Sequence, residues 1–90
     1  MRLDMFLKIS RLVPRRTVAQ ELCDAGLVSV NGAVAKSSKE LKSGDHVEVK
    51  RRNRLTKIEV LEIPSSKQIP KNAAGELYRL LEEIVVEDDS

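Results

Sequence analysis

Apolar residues at Leu3, Phe6 and Leu7 recur at the i, i+3, i+4 spacing of an amphipathic helix, leaving Arg2, Lys8 and Arg11 toward its polar side or end. This spacing predicts a short helix over 2–10. Pro14 suits the start of a second helix, because the first helical position has no use for the missing N–H. That helix is predicted over 14–25, with Val18, Ala19, Leu22 and Ala25 facing inward and Gly26 ending it in a left-handed conformation. From Leu27 the pattern shortens to β segments. Val28-Ser29-Val30 and Ala33-Val34-Ala35 flank Asn31-Gly32, the pair that a type I′ hairpin turn favours because both central residues need positive φ. Two further strands are predicted over 46–51 and 55–63, after the turn Ser43-Gly44-Asp45 and around the cationic connection Arg51-Arg52-Asn53-Arg54. Leu77, Leu80, Leu81 and Ile84 return to helical spacing and predict a C-terminal amphipathic helix over 73–86, followed by a disordered acidic end at 87–90.

The expected fold class is therefore α+β: two short N-terminal helices packed on a small, mainly antiparallel sheet, plus a C-terminal helix. Three segments follow, a folded unit over 1–63, a polar linker over 64–72 punctuated by Pro64 and Pro70, and the C-terminal helix with its acidic tail over 73–90. Ninety residues suit one modest core. No apolar run approaches the roughly 18 residues of a membrane span, and the charged opening Met1-Arg2-Leu3-Asp4 does not resemble a secretory signal. A cytoplasmic monomer with no membrane association is expected.

Net charge of +2 conceals an asymmetry. Residues 1–57 hold thirteen Lys/Arg against six Asp/Glu, whereas 58–90 hold three against eight. A cationic working surface in the first part, moderated by an acidic tail, is the reading this distribution supports.

Catalytic chemistry finds little to use. His46 is the only histidine and has no clustered partner. Cys23 is the only cysteine and falls beside Leu22 as a core filler, and Glu82, Glu83 and 87–89 read as a solvated acidic helix end. Gly26, Gly32, Gly44 and Gly75 are isolated, so no phosphate-cradling loop is present. No catalytic residue, metal site or cofactor is expected.

The basic residues give a positive signal. Arg15 and Arg16 follow Pro14 in the first turn of the second helix, where exposed N–H groups and the helix dipole favour an anion and arginine can hold a phosphate bidentately. Packing of the two helices would bring Arg2, Lys8 and Arg11 toward them. Lys50, Arg51, Arg52 and Arg54 form a second basic patch, and Lys36, Lys39 and Lys42 follow the hairpin. Phe6 and Tyr78 are the only aromatics, and Phe6 belongs to the core, so a sheet surface that stacks single-stranded bases is not expected. Recognition of structured RNA by shape and phosphate geometry is favoured.

The order Arg2-Leu3-Asp4, Phe6-Leu7, Ser10-Arg11-Leu12, Arg15-Arg16-Thr17, Gly26 and Val28-Ser29-Val30-Asn31-Gly32 resembles the RNA-binding domain named after small-subunit ribosomal protein S-four, the L-shaped alpha-L motif. The likeness is dense over 2–50 and includes Lys36 and Ser43-Gly44-Asp45. At this length the chain is similar to stand-alone members, the ribosome-quality-control P factors and the small ribosome-associated heat-shock proteins. Ala73-Ala74, Tyr78 and Leu81 resemble the C-terminal helix of the former group. The resemblance implies a non-enzymatic protein that binds the obstructed large ribosomal subunit and assists C-terminal tailing of the stalled nascent chain. The implied partners are ribosomal RNA, peptidyl-tRNA and the tailing factor. RNA contact is implied for Arg2, Arg11, Arg15 and Arg16, with Lys8 and Lys36 in support and Asn31-Gly32 framing the face. Pro14 departs from the pattern, since a basic residue often precedes the Arg-Arg pair. The alternatives are a heat-shock type recycling factor or a generic structured-RNA binder. A helix-turn-helix binding DNA fits less well, because the first helix is short and basic and a sheet follows.

Overall fold

The computed structural model describes residues 1–65 and 70–85. Helix α1 spans Leu3–Ile9 and buries Leu3, Phe6 and Leu7 completely, as their spacing requires. Full burial of each such side chain contributes about 1.5–3 kcal/mol. The first backbone donors of α1 do not face water. Leu3 N–H donates to the Lys39 carbonyl at 2.8 Å and Asp4 N–H to that of Ser37 at 3.1 Å, so the loop before Leu41 closes over the helix start. Met1 adds an ion pair from its amino group to Glu40 at 2.7 Å.

Helix α2 spans Arg16–Asp24 and starts later than Pro14. Val13 is fully buried and its N–H donates to the Leu7 carbonyl at 3.1 Å. That anchorage commits the chain to a turn, Pro14 stays exposed within it, and Arg15 takes an extended N-cap conformation. The inward face of α2 also differs from expectation. Ala19 and Cys23 are buried, Val18 and Leu22 flank them half-buried, and Ala25 is exposed. At the far end Gly26 adopts φ +75°, and its N–H reaches the Cys23 carbonyl at 3.0 Å while that of Leu27 reaches Leu22 at 3.0 Å. This paired pattern is a Schellman motif, which needs a left-handed residue at that position.

The sheet is antiparallel throughout, in the order β2-β1-β3-β4-β5. Strands β1 (Val28–Val30) and β2 (Ala33–Val34) form the expected hairpin, with positive φ at both Asn31 and Gly32. The Asn31 side chain locks this turn by accepting the His46 N–H at 2.9 Å and donating to Asp45 at 3.1 Å. Strand β3 (His46–Arg51) meets β4 (Arg54–Val60) through a two-residue connection, Arg52-Asn53. Strand β4 ends at Val60 rather than at 63, and its inner residues Ile58 and Val60 are fully buried with Val28 and Val47 under the helix pair.

The expected C-terminal helix is not formed. A four-residue helix α3 (Lys71–Ala74) leads to strand β5 (Tyr78–Val85), which pairs with the whole of β4 from Arg54↔Val85 to Val60↔Tyr78. Without it β4 would be an open edge with its backbone groups unpaired. A bulge interrupts this pairing, and both faces of β5 mix apolar and charged residues, so no period-two alternation marks the stretch. Lys57 pairs with Glu82 and Ile58 with Leu80, so Leu81 is an extra residue and the alternation slips by one. The acidic end at 87–90 and the linker positions 66–69 lie outside the described residues.

Candidate nucleic-acid interface

One buried carboxylate organises the N-terminal face. Asp4, in the first turn of α1, has no solvent exposure. Its Oδ2 accepts from Arg16 Nε at 3.1 Å, Gln20 Nε2 at 3.0 Å and, more loosely, Arg2 Nη2 at 3.4 Å. Its Oδ1 accepts the Met5 N–H at 2.8 Å and lies 3.3 Å from Arg2 Nε. Burial pushes the Asp4 carboxyl upward, but hydrogen bonds from Gln20, Arg16 and the Met5 N–H, with the Arg16 charge, outweigh it and hold the group below its ordinary value. Asp4 is therefore an anion at neutral pH, and it ties α1 to α2.

The two arginines on Asp4 remain 45% exposed at Arg2 and 39% at Arg16. Arg16 engages Asp4 through Nε, which leaves its terminal amino groups for a second partner. Both arginines border an open cleft with Met1, Met5, Glu40 and the segment Ile63-Pro64-Ser65. A cation in the first turn of a helix is disfavoured by the dipole, and here Asp4 compensates Arg16 without any ligand. The first turn of α2 has no acidic residue and no side-chain cap, and Arg15 stands exposed at the cap position.

Arg11 belongs elsewhere. It follows α1 at φ +63°, a conformation that side chains other than glycine adopt at a cost of roughly 1–2 kcal/mol. It shares a groove of about 210 Å³ with Leu12, Val49, Arg51, Arg54, Thr56, Tyr78 and Glu83. Arg51 is half-buried and donates from Nη2 to the Leu12 carbonyl at 3.3 Å, so the β3–β4 hairpin is fastened to the turn after α1. The predicted basic patch is thereby divided. Arg51 and Arg54 pair across the hairpin and join Arg11, whereas Lys50 precedes Arg51 on the strand and so faces the opposite side of the sheet. Arg52 is exposed at the hairpin tip. Lys8 is exposed on α1, and Lys36 lines a shallow depression beside β2 with Val34, Ser38 and Lys39.

Sequence reasoning missed Asp4, Gln20 and Tyr78 as parts of the site. Asp4 had a readable signal, because a carboxylate inside the apolar stripe Leu3, Phe6, Leu7 must be paired when buried. Cys23 is a core residue as expected, with burial first and the charges of Asp4 and Asp24 next pushing its thiol up to about 11. His46 is exposed at the start of β3. No helix among the described residues is long and apolar enough to cross a membrane.

Residues 1–47 match the S4 domain, the segment that holds α1, α2, the hairpin and the Asp4 cluster. The chain belongs to the S4 domain family. Over nearly its full length it also belongs with the RQC P-site tRNA stabilizing factors. It is 46% identical to the protein of that name from Streptococcus pneumoniae, with 99% of each chain covered. Identity to the Bacillus subtilis protein of the same name is 42%, over 92% of this chain and 94% of the relative. Among solved structures, heat shock protein 15 of Vibrio cholerae, determined as a trimer, superposes with a TM-score of 0.79 at 27% identity, covering 90% of this chain and 81% of that one. The hypothetical protein HP1423 gives a TM-score of 0.79 at 34% identity over 91% and 98%. The mixed architecture of helices on an antiparallel sheet is thus that of S4 and heat-shock-protein-15 relatives.

Proposed function

We propose that this S4 domain is a non-enzymatic, cytoplasmic RNA-binding protein that acts as a monomer on the obstructed large ribosomal subunit, where it contacts ribosomal RNA and the P-site peptidyl-tRNA and so assists C-terminal tailing of the stalled chain. The single observation that supports it most is the Arg2–Asp4–Arg16 cluster, built within the segment shared with the family. A buried carboxylate orients two half-exposed guanidinium groups toward one open cleft before any ligand arrives. Preorganised donors lose less conformational entropy when they meet phosphate oxygens. Neutralising phosphates releases counterions, so binding should weaken steeply with salt. The relatives named as P-site tRNA stabilizing factors support P-site tRNA as the RNA partner.

The test is sedimentation of tagged protein with ribosomal fractions at low and raised salt. Arg2→Gln with Arg16→Gln is the informative variant, because glutamine can still donate to Asp4 while the charge is removed. Co-migration with large subunits holding peptidyl-tRNA, lost in that variant, is the expected result. Indiscriminate association with all RNA would reduce the function to a generic structured-RNA binder. The likeness to heat shock protein 15 favours a second reading, a recycling factor with no part in tailing. Subunit binding that persists when tailing is blocked, with no effect of the protein on tail length, would select it.

A further inference from the structure

The groove beneath the turn after α1 has features that phosphate binding alone does not require. Its wall includes Tyr78, half-buried and the one aromatic outside the core, together with Arg11, Arg51 and Arg54. Arg51 is fixed by its bond to the Leu12 carbonyl, and Arg11 is held at the lip in a positive-φ conformation. Glu83 and Thr56, 3.5 Å apart, supply an acceptor and a hydroxyl in the same wall. At about 210 Å³ the space is smaller than the roughly 300–1,000 Å³ of sites that enclose a drug-sized molecule, and it is on the scale of a single base.

We infer that this groove receives one unpaired nucleotide of the bound RNA, its base stacked against Tyr78 and the Arg51 guanidinium and its phosphate held by Arg11 and Arg54. Unstacked bases are recognised on aromatic rings and arginine planes. A carboxylate at Glu83 offers acceptors and no donor, so it favours a base with an exocyclic amino group, which brings two N–H donors, over uracil, which brings only its N3–H. The inference rests on the RNA-binding reading above but uses a different face from Arg2 and Arg16. The strained Arg11 gains a reason to persist, since residues kept at positive φ concentrate where a ligand is clamped.

The experiment compares short RNA hairpins that are fully paired or have one extrahelical adenosine or uridine, with affinity measured by fluorescence anisotropy on the full chain. The expected result is about ten-fold tighter binding of the adenosine hairpin than of the paired one, and little gain for uridine. Tyr78→Leu should abolish the preference and Tyr78→Phe should keep it. Arg54→Gln, at an exposed side chain that folding does not need, should narrow it. Arg16→Gln should weaken all three hairpins alike. Equal affinity for paired and adenosine hairpins in the wild type, or a preference that survives in Tyr78→Leu, overturns the groove assignment and leaves RNA binding standing. Binding to none of the hairpins overturns both.

Discussion

The helix pair and the β4–β5 ribbon are stabilised in different ways. In the first, Leu3, Phe6, Leu7 and Val13 are fully buried, the equally buried Asp4 carboxylate is fully bonded, and the start of α1 and the turn after it are tied down by backbone hydrogen bonds. In the second, one face of β4 is core, but β5 leaves Leu80, Leu81, Ile84 and Val85 between 42% and 59% exposed. The ribbon is held chiefly by backbone pairing, with exposed ion pairs such as Arg79–Glu59 at 2.7 Å adding little. The difference teaches that the helix pair is joined around a buried, fully bonded carboxylate, whereas β5 covers the edge of β4 with most of its apolar side chains half exposed.

The largest expected effect breaks the ribbon. Ending the chain before Tyr78 should expose the backbone edge of β4 and the buried Val60, and the expected outcome is aggregation or loss of cooperative thermal unfolding. A truncated domain that melts like the full chain would show β5 to be decoration. A cut at residue 64 would delete this strand as well as acidic residues.

Asp4→Ala comes next. It orphans the Gln20 and Met5 donors and leaves Arg2 and Arg16 without their anion, at a cost of about 3 kcal/mol. Chemical denaturation checks it, and a loss well under half that value would mean the cluster is solvated. Ile58→Ala should cost a similar roughly 3 kcal/mol through the cavity it opens, while Leu80→Thr, across the pair but half exposed, should stay within about 0.5 kcal/mol. Equal effects would place β5 in the core.

Acid should separate the regions further. Asp4 titrates below its ordinary value in the folded protein, so its stabilisation is complete above the unfolded value of about 4 and is lost as pH falls through the lower folded one. The melting temperature should therefore drop below about pH 4, and Asp4→Asn should flatten that part of the profile. Arg11→Gly should act in the opposite direction. Relief of the positive φ should stabilise the fold by about 1 kcal/mol, while RNA affinity falls with the lost charge. Opposite movement of stability and binding is the signature to measure.

Much of the N-terminal region was legible because its signals are local. The i, i+3, i+4 spacing located α1, Asn31-Gly32 located the hairpin, and Gly26 located the end of α2. The start of α2 was misplaced because Pro14 satisfies helical geometry equally well one turn position earlier, and only the burial of Val13 decides against it. Arg2 and Arg16 were recognised as basic, but their junction through Asp4 spans twelve residues of chain from Asp4 to Arg16. Arg11 and Arg51 meet only because a hairpin tip reaches a distant turn.

By itself the sequence determined the helix pair, the tight turns, the three central strands and the cationic character of the first two thirds of the chain, since each follows from residue spacing or from backbone conformations that particular residues permit. The tertiary structure alone decided that Tyr78 to Val85 would be a strand, that Arg11 would leave the helix-pair cluster to join Arg51 and Arg54, and that Tyr78 would wall their groove. Strand pairing and ion-pair geometry depend on which segments meet in space, and a largely exposed edge strand with mixed faces and a bulge at Leu81 carries no alternation by which it could be read.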